Sequence, residues 1–273
     1  MTETSGMPTI SSDARELLDR MLAAGPRGLF TDVDGTLSPI APTPDAAILL
    51  SGAREALQAV RARFELVVAV SGRSALDAQR MVGLNDITYL GNHGFERLDP
   101  GATQPVIWPD AAPYQDDVNA VLDDIEQQAS PRFPGLRVER KGITGSIHVR
   151  MCADPVEAED AVRRALSILA VQRGLRVTRG RMVIELRPPV EMDKGIAVAE
   201  IVRSAGLRGA LYIGDDRTDM DAFRIMRELR ESDECESVAV AVLHNEAPEE
   251  LAEAADITLP GVESVPGFLR TLA

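Results

Sequence analysis

Cysteine is scarce in this chain, with Cys152 and Cys235 as its only two examples. The two residues are far apart in sequence and lack the spacing of a metal-binding cluster. This excludes a scaffold held by several disulfides. We therefore expect two buried, reduced thiols of the kind found in cytosolic proteins.

Basic residues are also in deficit. The chain has 29 Lys and Arg against 43 Asp and Glu, which gives a formal net charge of −14. Nucleic acids and anionic membrane surfaces favour clustered Lys and Arg, so both are poor candidates as partners. A small anionic substrate stays possible, because a few placed cations and a metal ion reverse the local field.

Long apolar runs are missing as well. None approaches the length of a membrane span, and the polar residues 1–12 do not have the basic and apolar regions of a signal peptide. With 45% hydrophobic and 26% charged residues among 273, we expect one large or two modest globular domains. Since neither a membrane span nor a signal peptide is indicated, we expect a cytoplasmic protein, and we expect it to be a monomer.

The pattern of the chain predicts an α/β fold with a doubly wound parallel sheet. Short apolar runs at 28–31, 64–70 and 87–90 each end in a polar or glycine-rich loop. Helical patterns follow the first two, and the alternation resumes after Pro188-Pro189. In such sheets ligands bind beyond the carboxyl ends of the strands. The loops at those ends are therefore the first place to look for a site.

The stretch between these two α/β segments has a different pattern. A helix followed by a hairpin of alternating strands occurs twice, which predicts an antiparallel sheet with its helices on one face. We therefore assign 1–110 and 187–273 to the α/β core, and 111–186 to an inserted α+β cap domain.

The first polar motif is Asp32-Val33-Asp34-Gly35-Thr36, directly after an apolar run. Two carboxylates this close repel, so a site that keeps both usually holds a cation or divides them into acid and base roles. Gly35 allows a tight turn whose N–H groups can face an anion. The alternative is an ordinary strand-ending turn, in which Asp and Gly are also favoured.

A second acidic motif, Gly214-Asp215-Asp216-Arg217-Thr218-Asp219, follows another apolar run and precedes a helix. Helix capping explains one or two of its three carboxylates. An oxygen-rich cluster suits a hard cation such as Mg²⁺. Together with Asp32 and Asp34, these residues favour a metal site.

Two further motifs offer groups that bind phosphate. Ser71-Gly72-Arg73 provides a hydroxyl at the start of a helix, and Asp193-Lys194-Gly195 provides a cation at the start of another. Each motif is weak alone. Four of them in this order, at strand ends and helix starts, favour phosphoryl chemistry.

This set resembles the four motifs of the haloacid dehalogenase (HAD) superfamily of phosphatases, with the cap position of its type II members. More narrowly, the chain resembles the trehalose-6-phosphate phosphatase family over nearly its whole length. The strings that carry this resemblance are 29–40 (LFTDVDGTLSPI), 91–96 (GNHGFE), 185–188 (ELRP), 214–219 (GDDRTD) and Lys141-Gly142 with His148 and Arg150.

The resemblance implies a reaction and a role for each motif. Asp32 would attack phosphorus to form an aspartyl-phosphate, and Asp34 would serve as general acid and then general base. Mg²⁺ would be held by the carboxylates of Asp32 and Asp215 and the main-chain carbonyl of Asp34. Ser71 and Lys194 would hold phosphoryl oxygens. Asp216 and Asp219 would position the groups that contact the metal and the substrate. Further contacts to the substrate are expected from Gly35, Thr36, Gly72, Arg73 and His93.

The cap would select the sugar. In a strand over 146–151, alternation places Ser146, His148 and Arg150 on one face and Ile147, Val149 and Met151 on the face toward the helices. The expected contacts to sugar hydroxyls are Lys141, His148, Arg150, Arg181 and Glu185. The alternative is an ordinary solvated sheet face.

Other functions share part of this pattern. A phosphatase for sucrose phosphate, mannosyl-phosphoglycerate or another sugar phosphate would use the same core chemistry. A phosphotransferase such as a phosphomannomutase would keep the phosphoryl group for transfer. A non-catalytic sugar-phosphate-binding module would bind without turnover, although such modules usually lose the nucleophile or a metal ligand.

Overall fold

The computed structural model describes residues 11–41, 43–180 and 182–273. These residues form two compact units. The first contains the described residues up to Pro105 together with Met192–Ala273, and the second is Val106–Glu191. The division falls after residues 105 and 191, where the sequence placed it after 110 and 186. Among the described residues, no helix is both long and apolar enough to cross a membrane.

The helices are α1 (Ser12–Ala23), α2 (Ala53–Val60), α3 (Ala75–Val82), α4 (Gln115–Ala129), α5 (Pro155–Gln172), α6 (Lys194–Ser204), α7 (Asp219–Glu231), α8 (Leu251–Ala254) and α9 (Val265–Leu272). The strands are β1 (Arg27–Asp32), β2 (Leu66–Val70), β3 (Thr88–Gly91), β4 (Glu96–Leu98), β5 (Val106–Ile107), β6 (Arg137–Arg140), β7 (Gly145–His148), β8 (Arg176–Gly180), β9 (Val183–Arg187), β10 (Gly209–Gly214), β11 (Glu236–Leu243) and β12 (Ile257–Pro260).

The first unit is built on a largely parallel sheet with the strand order β12-β11-β10-β1-β2-β3-β4. Neighbours from β12 to β3 are parallel, and β4 runs antiparallel to β3. The central strands read as continuous apolar runs because both of their faces are buried. The predicted doubly wound α/β fold is confirmed, while the short β4 was not predicted.

Helices cover both faces of this sheet. On one face, Leu29 and Leu211 belong to a core that also contains Met21 of α1 and Phe268 of α9. On the other face, Tyr212 of β10 packs edge-on against Phe223 of α7, with ring centroids 5.9 Å apart. This two-sided burial fixes the strand ends, and with them the loops that carry the polar motifs.

The second unit has an antiparallel sheet with the order β6-β7-β9-β8. Its apolar face carries Ile147 of β7 and Ile184 of β9, which share a core with Val121 of α4 and Val162 of α5. The predicted antiparallel sheet with helices on one face is therefore confirmed.

One predicted strand is shorter than expected. The pattern placed a strand over 146–151, but β7 ends at His148. The chain then turns, with the Cys152 N–H donating to the carbonyl of Val149 at 3.0 Å. Arg150 lies in this turn, and Met151 is 74% exposed instead of facing the helices. The alternation fails here because β9, the partner strand, has its first residue opposite His148.

Both cysteines are buried and free, as expected. Burial raises the pKa of the Cys235 thiol to about 11, so it stays protonated and unreactive at neutral pH.

Candidate active site

The predicted motif residues follow neighbouring strands at one edge of the sheet. Asp32 is the last residue of β1, Ser71 follows β2 directly, and Asp215 follows β10 directly. These three strands are adjacent and parallel, so their carboxyl ends meet. The structure thus brings together the loops that the sequence singled out in the first unit.

Helix α6 brings a lysine to the same edge. The Asp193 carboxylate caps this helix by accepting the Ile196 N–H at 2.7 Å, and Lys194 is the first helical residue. Its Nζ lies 2.7 Å from Oδ1 of Asp32 and 2.7 Å from Oδ1 of Asp219. Lys194 is 2% exposed and is the one buried Lys or Arg in the part of the chain that the structure describes.

Burial dominates the electrostatics of this cluster. Burial alone would lower the pKa of Lys194, but the carboxylates of Asp219 and Asp32 outweigh it and raise this pKa well above its usual value. Burial raises the pKa of Asp32 well above its ordinary value although Lys194 opposes the shift. Burial and the Asp219 charge raise the pKa of Asp215 to about 6. The site therefore disfavours having all of these carboxylates ionised while Lys194 is the cation beside them.

Three buried carboxylates are placed to share a cation. Asp32, Asp215 and Asp219 each offer an oxygen, and these atoms lie within 4.8 Å of one another. Oxygen donors suit a hard cation such as Mg²⁺, and a divalent charge would offset the excess of carboxylates over Lys194. The donor set thus fits the expected metal.

Asp219 has the least room for a metal ion among the three. Its Oδ1 accepts hydrogen bonds from Lys194 and from the Tyr212 hydroxyl, the latter at 2.6 Å. Its Oδ2 accepts the main-chain N–H groups of Asp215 and Asp216 at 2.9 and 3.0 Å. Four donors thus tie this carboxylate to Lys194, Tyr212 and the loop that follows β10, and its supporting role in the site stays a prediction.

Asp216 lies at the rim of the cluster. Its side chain is 52% exposed, with Oδ1 3.9 Å from Nζ of Lys194. The same oxygen accepts from the main-chain N–H and hydroxyl of Thr218 at 2.8 and 2.7 Å. Asp216 therefore caps the following turn, and its interaction with Lys194 is weaker than those of Asp32 and Asp219 because the distance is longer.

The Asp34 carboxylate forms a bidentate ion pair with Arg73. Nε and one terminal nitrogen of Arg73 each lie 2.6 Å from a different oxygen of the Asp34 carboxylate. The main-chain N–H of Arg73 also donates to Oγ of Ser71 at 3.1 Å. Asp34, the expected general acid, is thus paired with Arg73, one of the expected substrate contacts.

Gly35 and Thr36 build the surroundings of Asp215. Gly35 has φ +91°, and a Cβ there would lie 2.0 Å from Oδ2 of Asp215, so only glycine fits. The Thr36 hydroxyl is buried and donates to Oδ1 of Asp215 at 2.7 Å. The Thr36 side chain therefore holds a carboxylate of the cluster, and its predicted contact with the substrate stays a prediction.

His93 lies against the loop that follows β2. A Cβ at Gly72 would lie 2.7 Å from the His93 ring, and His93 itself has the left-handed φ of 57°. Its N–H donates to the carbonyl of Ser71 at 3.0 Å. The structure thus brings His93 beside the predicted phosphate-binding loop.

The predicted sugar contacts lie in the second unit, apart from Arg181, which lies outside the described residues. Nε2 of His148 is 2.7 Å from Oε2 of Glu139. Glu185 faces Ser146 across the sheet, and the Lys141 N–H closes the β6–β7 hairpin. Within this unit, His148 and Glu185 lie on the polar face, and Arg150 lies in the turn after β7.

Sequence reasoning missed two residues of the cluster, His244 and Tyr212. Nε2 of His244 lies 3.0 Å from Oδ2 of Asp215, and Tyr212 donates to Asp219. A signal for the first was available, because His244 directly follows β11 just as Asp215 follows β10. Tyr212 lies inside an apolar strand and gave no such signal.

The sequence of this chain matches a known protein family. Residues 30–259 match the sequence profile of the family described as Trehalose-phosphatase. The trehalose-phosphate phosphatase of Mycobacterium tuberculosis (strain ATCC 25618 / H37Rv) is 36% identical over 258 residues, which cover 88% of this chain and 63% of that protein. The chain thus spans less than two thirds of this relative's length.

Solved structures show the fold. The C-terminal domain of trehalose-6-phosphate phosphatase from Candida albicans has a TM-score of 0.75 at 23% identity, covering 98% of this chain and 99% of that one. A haloacid dehalogenase-like hydrolase from Bacteroides thetaiotaomicron has a TM-score of 0.65 at 16% identity, with 91% and 100% covered. The predicted HAD-like fold is confirmed.

Proposed function

This chain belongs to the trehalose-phosphatase family, and we propose that it hydrolyses trehalose 6-phosphate to trehalose and phosphate. The observation that carries the proposal is the buried cluster in which Lys194 joins Asp32 to Asp219, beside Asp215. It stands at the strand ends where a HAD-like fold binds ligands.

Asp32 is the proposed nucleophile. Lys194 holds its Oδ1 at 2.7 Å, which leaves Oδ2 to attack phosphorus. A bond from Asp32 to phosphorus forms as the bond from phosphorus to the sugar oxygen breaks, and water then hydrolyses the aspartyl-phosphate. The cation of Lys194 also offsets the charge that gathers on the phosphoryl oxygens.

Asp34 is the proposed general acid and base. It would give a proton to the departing sugar oxygen and then take one from the attacking water. In the structure both of its oxygens accept from Arg73. We therefore propose that Arg73 leaves Asp34 for the phosphoryl oxygens when substrate binds, joining Ser71, His93 and the N–H groups after Gly35 and Gly72.

Mg²⁺ is the proposed cofactor, held by the carboxylates of Asp32 and Asp215 and the main-chain carbonyl of Asp34. When bound, it would offset the repulsion between the carboxylates and the phosphate. Thr36, Asp216 and Asp219 are the proposed supports of these groups.

The second unit is the proposed source of sugar specificity. Lys141, His148, Arg150, Arg181 and Glu185 are its proposed contacts. Polar groups that a bound sugar covers discriminate between sugars, because a wrong sugar leaves them without partners. We further propose that the protein acts as a cytoplasmic monomer on a small sugar phosphate, without nucleic acid or membrane partners.

The test is phosphate release from a panel of sugar phosphates with Mg²⁺. Wild type is compared with Asp32→Asn and with Asp19→Asn, a matched change at an exposed carboxylate of α1. We expect turnover of trehalose 6-phosphate well above sucrose phosphate and mannosyl-phosphoglycerate, lost only in Asp32→Asn. A preference for another sugar phosphate would contradict trehalose 6-phosphate as the substrate. If no phosphate were released from any of them, the proposal that the protein is a sugar-phosphate phosphatase would be wrong.

A further inference from the structure

His244 has no role in the reaction described above, yet it contacts the same cluster. Its Nε2 lies 3.0 Å from Oδ2 of Asp215. Its Nδ1 accepts the main-chain N–H of Glu246 at 3.1 Å. Since Nδ1 accepts, it carries no hydrogen, and the hydrogen of the neutral ring is on Nε2. His244 therefore donates a hydrogen bond to Asp215.

The second oxygen of Asp215 is held in the same way. Oδ1 accepts the Thr36 hydroxyl at 2.7 Å. Strand β10 lies between β1 and β11, Thr36 is in the loop after β1, and His244 is the first residue after β11. Each neighbouring strand thus supplies one donor, and the Asp215 carboxylate is fixed from both sides.

We propose that His244 is a positioning residue that orients the Asp215 carboxylate for a divalent cation. This inference rests on the proposed function, in which Asp215 binds Mg²⁺. Hydrogen bonds to a ligating carboxylate fix its orientation, and their loss typically weakens metal binding by about 10–100-fold. His244 is not a ligand itself, because its Nε2 carries the hydrogen that points to Asp215.

The test is Mg²⁺ binding to the substrate-free protein by isothermal titration calorimetry. His244→Leu and His244→Ala remove the donor, and His244→Gln keeps an N–H donor near the position of Nε2. His148→Leu is the matched histidine change in the second unit. We expect the Leu and Ala variants to bind Mg²⁺ about 10–100-fold more weakly, and the Gln and His148→Leu variants to stay within a few-fold of wild type.

Thermal unfolding in EDTA identifies any variant that does not fold. If either His244→Leu or His244→Ala fails to fold, the Mg²⁺ affinity of the other one is the deciding measurement. Wild-type affinity in the donor-free variants would overturn the role of His244 while leaving the proposed metal site intact. An equal loss in His244→Gln would also overturn it, because the ring and not the hydrogen bond would then matter. A wild type that binds no Mg²⁺ would overturn the metal site and this role together.

Discussion

Replacing Lys194 with methionine should destabilise the metal-free protein, whereas replacing its partner Asp32 with asparagine should not. Lys194 is 2% exposed and bonds to two buried carboxylates. Its removal would leave Asp32 and Asp219 buried without their cation. Methionine keeps the length of the side chain, so the change is mainly one of charge.

The magnitude follows from burial. Removing one partner of a buried ion pair typically costs about 3–5 kcal/mol, equivalent to roughly 6–20 °C in the unfolding midpoint of a chain of this size. For Asp32→Asn we expect no comparable loss of unfolding free energy. Burial disfavours its ionised form, and Lys194 keeps Asp219 as a partner. We therefore expect Asp32→Asn to change the unfolding free energy by less than about 1 kcal/mol or to raise it.

The assay is thermal and urea unfolding at pH 7.5 in EDTA. Lys141→Met is the matched control, because Lys141 and Lys194 are the only lysines of the chain, and Lys141 is half-buried in the β6–β7 hairpin. Mg²⁺ should recover part of the loss in Lys194→Met, since a cation would again oppose the carboxylates. Equal midpoints for Lys194→Met and wild type, or a larger loss in Asp32→Asn, would refute the charge balance described here.

Three further predictions test the supports of the cluster. Tyr212→Phe should cost about 1.5–3 kcal/mol of unfolding free energy and lower kcat, because its hydroxyl bonds to a charged group; Tyr89→Phe, which loses a bond to a carbonyl, should cost about 0.5–1.5 kcal/mol and leave kcat unchanged. If Tyr212→Phe and Tyr89→Phe had equal effects on the unfolding free energy in urea and on kcat, this prediction would be wrong. Gly35→Ala should weaken Mg²⁺ binding in calorimetry, because its Cβ would meet Asp215 at 2.0 Å, whereas Gly101→Ala, at φ +76° with nothing within 4 Å, should not. Unchanged affinity in both would show that the predicted clash relaxes. The pKa of Asp215 is raised to about 6 from 3.8, so its stabilising contribution is complete below pH 4 and is lost as the pH rises through 6. In EDTA the unfolding free energy should lose up to about 3 kcal/mol from this group between pH 4 and pH 7.5, and Asp215→Asn should remove this part of the pH dependence.

The sequence predicted the part of the site that depends on strand ends. Asp32, Ser71 and Asp215 each end or follow an apolar run, and in a parallel sheet such positions meet at one edge. Lys194 was predicted from its place at a helix start. These features depend on local pattern and on topology, both of which are visible in a single sequence.

The missing parts depend on contacts across the sheet. Tyr212 looks like any apolar residue of a buried strand, and its hydroxyl has a function only because Asp219 returns to it at 2.6 Å. The end of β7 was misplaced because it is set by where β9 begins, at Val183. The chain reversal into β4 depends on the left-handed backbone of Asn92 and His93, which the apolar pattern does not indicate.

The most direct test of the proposed chemistry is to look for a phosphoryl group on Asp32 during turnover. The protein is mixed with trehalose 6-phosphate and Mg²⁺, quenched in acid within one turnover, and digested for mass spectrometry. We expect a phosphoryl group on the peptide that contains Asp32, removable by hydroxylamine as an acyl-phosphate is, and absent from Asp32→Asn. Phosphate release from trehalose 6-phosphate with no phosphorylated Asp32 at any quench time, or with full activity in Asp32→Asn, would contradict the assignment of Asp32 as the nucleophile.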